Sequence, residues 1–336
     1  MSYDVVKSQI CIIKQGLLFF FSFLTLSCSA NIDVILEEKT NYRIMIVPDI
    51  QNYMDAPDRY KYVEAIADYY IDNKSDFVAC LQVGDLTNNN QVSQYENAFN
   101  HFFSKFPKGD EPIFCLGNHD YGNNGISDVR KSNIPSYMRA RYDIRMEGSD
   151  YENYVRFISF DYLKYAILVL EFAPRNEAIS WANEIVQRYK DIPFILLTHV
   201  FTNKYGQIHD SRDDNVYHGG SPKGYDMSGD YINDSAEVFD KLINNNPNIK
   251  IVICGHTFIP DYIEVTSRSN SIGKEVYVVT VNYQHSPEGN YNGGNSYVGL
   301  LEFDKDENYS IRSFSTMRKQ YGDVNISFGK NTIVLN

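Results

Sequence analysis

Five short stretches of this 336-residue chain set acids, amides and imidazoles where chemistry could be done. They are Asp49 and Gln51 in IVPDIQ, Asp85 in VGDLTNN, the consecutive Asn118, His119 and Asp120 in LGNHD, His199 in LLTHV, and His256 in ICGHTF. Each comes at the end of an apolar run of the kind that forms a buried strand. A carboxylate taken out of water costs on the order of several kcal/mol unless a cation or a hydrogen-bonded partner compensates, so carboxylates and imidazoles gathered at one dry edge call for a metal. Aspartate, asparagine and histidine together suit Zn, Fe or Mn better than Ca or Mg. Taken singly, the residues have simpler readings: Asp85 as a turn carboxylate, Asp49 as the cap of a loop, His119 as a hydrogen-bonded structural histidine.

These groups meet only if a scaffold brings the strand ends together. RIMIVPDIQ, FVACLQVGD, PIFCLGNHD, YAILVLEF, PFILLTHV and IKIVICGH read as buried strands. Between them lie helical patterns. Val63, Ile66, Ala67, Tyr70 and Ile71 share one face, and Val92, Tyr95, Phe99, Phe102, Phe103 and Phe106 form a second stripe beside which His101 reads as a surface histidine. EAISWANEIVQRYK and SAEVFDKLINNN supply two more helices, with Trp181 on a core-facing stripe alongside Ala178, Ile185 and Tyr189. The last part, EVYVVTVNYQ, SYVGLLEF and NYSIRSFST, is strand-rich and predicts added antiparallel strands. This alternation predicts a single α/β domain with its ligand site at the carboxyl edge of the strands. The long polar segment Asn203–Tyr231 reads either as a cover over that edge or as a surface excursion packed by its own tyrosines.

A formal charge of -12 argues against a nucleic-acid partner, since phosphate backbones are met with basic stripes. Many of the 27 tyrosines lie in polar stretches such as NYMDAPDRYKY, where the rings would line a groove or, as the preferred reading, decorate the surface. Of five cysteines, Cys80, Cys115 and Cys254 sit in strand-like runs and read as free, buried thiols. The N-terminal segment has Lys7 and Lys14 before GLLFFFSFLTLSC, an apolar run shorter than the roughly 20 residues of a membrane span and typical of a secretory signal. TLSC resembles a bacterial lipobox, with Thr25 where leucine is usual; an ordinary signal peptide or an uncleaved anchor is the alternative. The expected layout is a lipoprotein-type signal peptide over 1–27, a tether over 28–40 and one domain over 41–336. The protein would then be exported, facing the periplasm or the exterior, and would touch the membrane only through a lipid on Cys28.

GDLTNN, GNHD, the TH at His199 and the GH at His256 resemble, in order and spacing, the calcineurin-like metallophosphoesterases, with a looser Asp-x-Gln at Asp49–Gln51. The resemblance runs from about Arg43 to Thr316, and LEFAPRNEAISWANEIV, NYQ at Asn282 and NGGNSYVGLLEF extend it to a secreted bacterial branch with Gln in place of His. It implies a four-layer α/β/β/α sandwich with mixed sheets, two divalent ions (Fe, Mn or Zn) and a phosphate mono- or diester substrate attacked in line by a metal-held hydroxide. Asp85 would bridge the ions. Asp49, with Gln51, would hold the first, and Asn118, His199 and His256 the second. His119 would be the general acid, with Asp120 orienting its ring. Gln51 and Phe258 depart from the pattern, so the first site would be weak or would borrow a ligand from His209, His218, Asn282, Gln284 or His285. Gln51 reads equally as ligand or as structural amide, whereas His209, His218 and His285 read as solvent-facing rather than ligating. Glu171 and Arg175 follow another strand and could sit near the rim, where Arg175 reads equally as a fork onto phosphate or as a salt bridge where a helix begins. The functional alternative is a non-catalytic lipoprotein that binds metal or a phospho-ligand through a depleted first site.

Overall fold

Strands rich in Ile, Val and Leu alternate their side chains between two faces, and here both faces are covered. The computed structural model describes residues 42–138, 143–148, 152–160, 163–227, 231–259, 262–284 and 294–330. The N-terminal segment with Cys11 and Cys28, and His285, lie outside the described residues. One mixed sheet contains β1 (Tyr42–Val47), β2 (Ala79–Gln82), β3 (Ile113–Phe114), β11 (Tyr297–Phe303), β12 (Asn308–Ser315) and β13 (Gln320–Gly329), in the order β13-β12-β11-β1-β2-β3. The other contains β4 (Ile144–Arg145), β5 (Tyr154–Phe160), β6 (Leu163–Val169), β7 (Phe194–Leu197), β8 (Ile249–Cys254), β9 (Ile263–Ser269) and β10 (Glu275–Val281), in the order β4-β5-β6-β7-β8-β10-β9.

The pleat sorts side chains into three cores. Ile44, Ile46 and Leu81 of the first sheet meet Ile195, Leu197, Ile251 and Ile253 of the second in a shared core between the sheets. Met45, Val47 and Cys80 point the other way, against α1 (Gln51–Met54), α2 (Tyr60–Asp72) and α3 (Val92–His101). Leu168, Leu196 and Val252 pack outward onto α4 (Asn176–Arg188) and α5 (Ser235–Lys241). The result is the expected helix, sheet, sheet, helix layering. Cys80, Cys115 and Cys254 are buried and free. Among the described residues no helix is long and apolar enough to cross a membrane.

Three expectations need correction. β10 is not antiparallel throughout: it inserts between β8 and β9, running parallel to β8 and antiparallel to β9. β5, β9 and β13 have no counterpart in the sequence reading, because their mixed polar and apolar composition reads as loop until a partner strand is known. The tyrosines are not mainly surface rings: Tyr42, Tyr53, Tyr70, Tyr95, Tyr121 and Tyr154 are among the largest fully buried side chains. Burial is tolerated where the phenol oxygen finds a partner, as when Tyr154 accepts from the Phe114 amide at 3.0 Å and donates to its carbonyl at 2.5 Å. His101 is half-buried, stacked on Tyr60 and 2.7 Å from Glu64.

Past the end of β6, Glu171 is fully buried and accepts a two-pronged contact from Arg175, Nε at 2.9 Å and an Nη at 2.8 Å, and another from Asn153 at 2.9 Å. Arg130 approaches the same carboxylate at 3.6 Å and donates to the carbonyls of Phe172 and Ala173. Of the two readings for Glu171 and Arg175, the salt bridge is the one present. Burial pushes the Glu171 carboxyl up, but Arg175 and Arg130 more than offset it and hold it below its ordinary value. Its contribution to stability is therefore present above the ordinary carboxylate range and lost as pH falls through the lowered value. Replacing Glu171 by Ala removes the buried carboxylate that Arg175 and Arg130 share, while Arg175 keeps Glu177 and Glu152 and Arg130 its two carbonyls, and is expected to cost about 1.5–3 kcal/mol in urea denaturation. The loss should shrink toward acid pH; a loss under about 1 kcal/mol at neutral pH would contradict the reading.

Candidate metal centre

Six parallel strand ends deliver the candidate residues to one edge. β1, β2 and β3 run parallel in the first sheet, as do β7, β8 and β10 in the second. Just past their carboxyl ends stand Asp49, Asp85, Asn118, His199, His256 and Asn282 respectively. The loops are cross-tied: the His199 carbonyl accepts from the Gly255 amide at 2.9 Å, and the Asp85 carbonyl from the Ile50 amide at 3.2 Å. Space here is tight. A Cβ on Gly117 would lie 2.1 Å from Asp85 Oδ1, and one on Gly255 2.4 Å from Asp49 Oδ1, so glycine is required at both. Asp85 and His256 themselves take left-handed backbone conformations, with φ of 53° and 63°, and non-glycine residues adopt these only where the surroundings enforce them.

His199 shows what the cluster is built for. Its Nδ1 lies 2.8 Å from the Val83 carbonyl, and a carbonyl only accepts, so Nδ1 carries the proton. Its Nε2, a lone pair whenever the ring is neutral, then faces Asn118 Oδ1 at 3.0 Å, Asp85 Oδ1 at 3.3 Å and His256 Nδ1 at 3.2 Å. Four electron-rich atoms pointing at one spot repel one another unless a positive charge joins them. Ionisation follows the same logic. Burial pushes Asp85 up, but the imidazoles of His199, His119 and His256 win and hold its carboxyl well below the usual range. Burial opposes charge on His199, yet Asp85 raises it to about 9. Burial and then His199 push His256 down to about 3, so only one of the two imidazoles takes a proton. Asp85, His199 and His256 also group as potential metal ligands by the approach of their donor atoms.

A second group of oxygens lies on the other side of Asp85. Gln51 donates its Nε2–H to Asp85 Oδ2 at 3.0 Å, which leaves its Oε1 a buried acceptor with no hydrogen-bond partner. Asp49 accepts from the His256 amide and from Asn282 Nδ2, each at 3.3 Å, and burial above all pushes its carboxyl up to about 7. Asn282 Oδ1 takes the Gln284 amide, so Asn282 tethers Asp49 through its amide nitrogen. Asp49, Gln51 and Asp85 thus offer only oxygens to a cation, and the orphaned Gln51 oxygen fits that use. Phe258 is exposed, 51 % by area, and offers no ligand atom.

His119 stands beside the cluster. Its backbone amide donates to Asp85 Oδ1 at 2.9 Å and its ring Nδ1 lies 2.9 Å from the Asn88 carbonyl. Burial works against the charged ring, but Asp85 and the Asn88 carbonyl outweigh it and raise its pKa. The expected role of Asp120 is corrected: it accepts from the Leu86, Thr87 and Gly117 amides, each at 3.0 Å, so it braces the loops while Asn88 orients the His119 ring. His209 is corrected too, since it is fully buried and not solvent-facing, whereas His218 is exposed. Three contributors went unnoticed in the sequence. Gln82 pins the β2 turn through both ends of its amide, to Gly84 N and O. Phe172 lays its ring edge-on to His199, and Tyr225 reaches His256 from the long polar segment. Only Gln82, a polar residue inside an apolar run, left a signal in the sequence.

The family model for calcineurin-like phosphoesterases matches residues 42–260. The chain belongs to that family. Membership supports metal-dependent hydrolysis of phosphate esters, and the donor set fits the cations such a reaction uses. An uncharacterized protein of Bacillus subtilis, YvnB, is 24% identical over 240 residues, which cover 67% of this chain and 16% of the relative. A purple acid phosphatase from yellow lupin seeds superposes with a TM-score of 0.50 at 12% identity, covering 86% of this chain and 54% of that one. A conserved uncharacterized protein of Streptococcus pneumoniae gives a TM-score of 0.36 at 12% identity, with 86% and 98% covered. This chain therefore spans about a sixth of the Bacillus relative and about half of the lupin chain.

If Gln51 Oε1 belongs to a cation site, Gln51→Ala should lose one ion per chain after dialysis against Mn²⁺ while the other stays. Metal content by mass spectrometry reads this, and unchanged occupancy would make Gln51 a structural amide.

Proposed function

We propose that the protein is a hydrolase of phosphate mono- or diesters that works with two divalent ions sharing the Asp85 carboxylate. The observation that carries this is the convergence of Asn118 Oδ1, His256 Nδ1 and Asp85 Oδ1 within 3.0 to 3.3 Å of His199 Nε2, next to a histidine shifted toward its charged form. When bound, two such cations would neutralise phosphoryl oxygens and lower the pKa of an attacking water. The chain's own residues do the rest. Asp49, Gln51 and Asp85 hold the oxygen-only side; Asn118, His199 and His256 hold the other.

His119 is placed to donate a proton to the leaving oxygen. Its Nδ1–H is committed to Asn88, so Nε2–H is the proton left for transfer, and Asp85 and the Asn88 carbonyl shift the ring toward its charged form. Phe172 and the sheet core beneath exclude water from the second side of the centre. The net charge of -12 disfavours long nucleic acids as substrates.

Phe258 favours a second reading, in which the depleted first side leaves a binding protein without turnover. Hydrolysis of chromogenic mono- and diesters by chelated protein resupplied with Mn, Zn or Fe separates the two. The hydrolase reading expects His119→Ala to retain its metal and lose about 10²–10⁴-fold in turnover. Wild-type protein that holds metal and turns over neither ester class would favour the binder.

A further inference from the structure

The segment after β7 returns to the metal centre that β7 itself helps to build. Asn203 opens it, and its side-chain amide donates to the Tyr217 carbonyl at 3.0 Å, folding the segment back on itself. Gly220 then crosses His256 so closely that a Cβ would lie 3.1 Å from the ring Nε2. A short turn over Pro222–Gly224, with Lys223 paired to Glu237, brings Tyr225 down beside the same ring. The Tyr225 ring stands edge-on to Phe172 with centroids 5.1 Å apart, and its hydroxyl lies 3.4 Å from His256 Nε2. Met227, fully buried against the first sheet's helices, fixes the far side.

His256 has two nitrogens with opposite duties. Its Nδ1 faces His199 Nε2 at 3.2 Å inside the donor cluster, so a cation there needs the Nδ1 lone pair. A neutral imidazole that frees Nδ1 carries its proton on Nε2, and that proton points to the Tyr225 oxygen. We propose that Tyr225 is a positioning residue for the metal centre. It accepts the Nε2–H of His256, fixes the tautomer that frees Nδ1, and so couples cation binding to closure of the 203–227 segment. The segment is then a cover latched to a ligand, and the coupling is reciprocal: what orders the cover tightens the ion, and the ion orders the cover. Partners that orient a ligating histidine typically change metal affinity by about 10–100-fold.

This rests on the reading of His256 as a ligand, and the test separates the two. Mn²⁺ or Zn²⁺ is titrated by calorimetry into the chelated full chain, as wild type, Tyr225→Phe and Tyr225→Ala, with hydrogen exchange followed over residues 218–227. Tyr225→Phe keeps the ring on Phe172 and removes only the oxygen. The latch predicts about 10–100-fold weaker binding of the tighter ion in Tyr225→Phe, and loss of the metal-dependent protection of 218–227. Wild-type affinity and protection in Tyr225→Phe overturn it, whether or not Tyr225→Ala is impaired, because the ring and not the hydroxyl would then matter. Wild type that takes up no ion overturns the ligand reading and the latch with it.

Discussion

Everything at the carboxyl edge answers to one electrostatic constraint: the Asp85 carboxylate is buried among atoms that, like it, carry lone pairs. His199 Nε2 lies 3.3 Å from it, and Asn118 Oδ1 and His256 Nδ1 stand as close to His199. In a dry site such an arrangement is stable only around positive charge. The raised proton affinity of His199 shows how strongly that charge is wanted, since burial alone would lower it. The local backbone bears the cost of this crowding. Gly117 and Gly255 give up side chains, Asp85 and His256 accept left-handed φ, and Asp120 spends both oxygens on amides that would otherwise be orphaned.

The two sheets divide the donors of the cluster between them. The first sheet brings carboxylates and amides from β1, β2 and β3, and the second brings imidazoles and Asn282 from β7, β8 and β10. The shared core of Ile44, Ile46, Leu81, Ile195, Leu197 and Ile253 holds the two edges in register. His199 binds across the gap directly, through Nδ1 to the Val83 carbonyl, so the metal side of its ring is aimed by the opposite sheet. Phe172 and Tyr225 then wall the imidazole side, while the Asp49 and Gln51 side stays all oxygen. The centre is asymmetric, with a nitrogen-rich half and an oxygen-only half, and harder cations suit the latter.

What could be read in the sequence follows physical range. Strands β1, β2, β7 and β8 are continuous apolar runs, and the polar residue just past each is where a buried strand must end; pattern alone finds both. Helices α2 to α5 declare themselves by their apolar stripes. By contrast β5 and β13 are half-polar, and only pairing with β6 and β12 makes them strands. Tyr53 and Tyr154 look like surface rings until distant partners, Ser296 and Phe114, satisfy their oxygens. Asn88 takes over the duty expected of Asp120, whose carboxylate is occupied by three backbone amides and the Thr87 hydroxyl. Tyr225 meets His256 across a long polar segment, and nothing in its neighbours along the chain announces that meeting.

The most direct measurement is anomalous diffraction from crystals of the protein grown with Mn²⁺. The account predicts a peak contacting Asp85 Oδ1, Asn118 Oδ1, His199 Nε2 and His256 Nδ1 together, with any second ion on the Asp49 and Gln51 side of the same carboxylate. An ion bound elsewhere, with those four atoms sharing none, would contradict it.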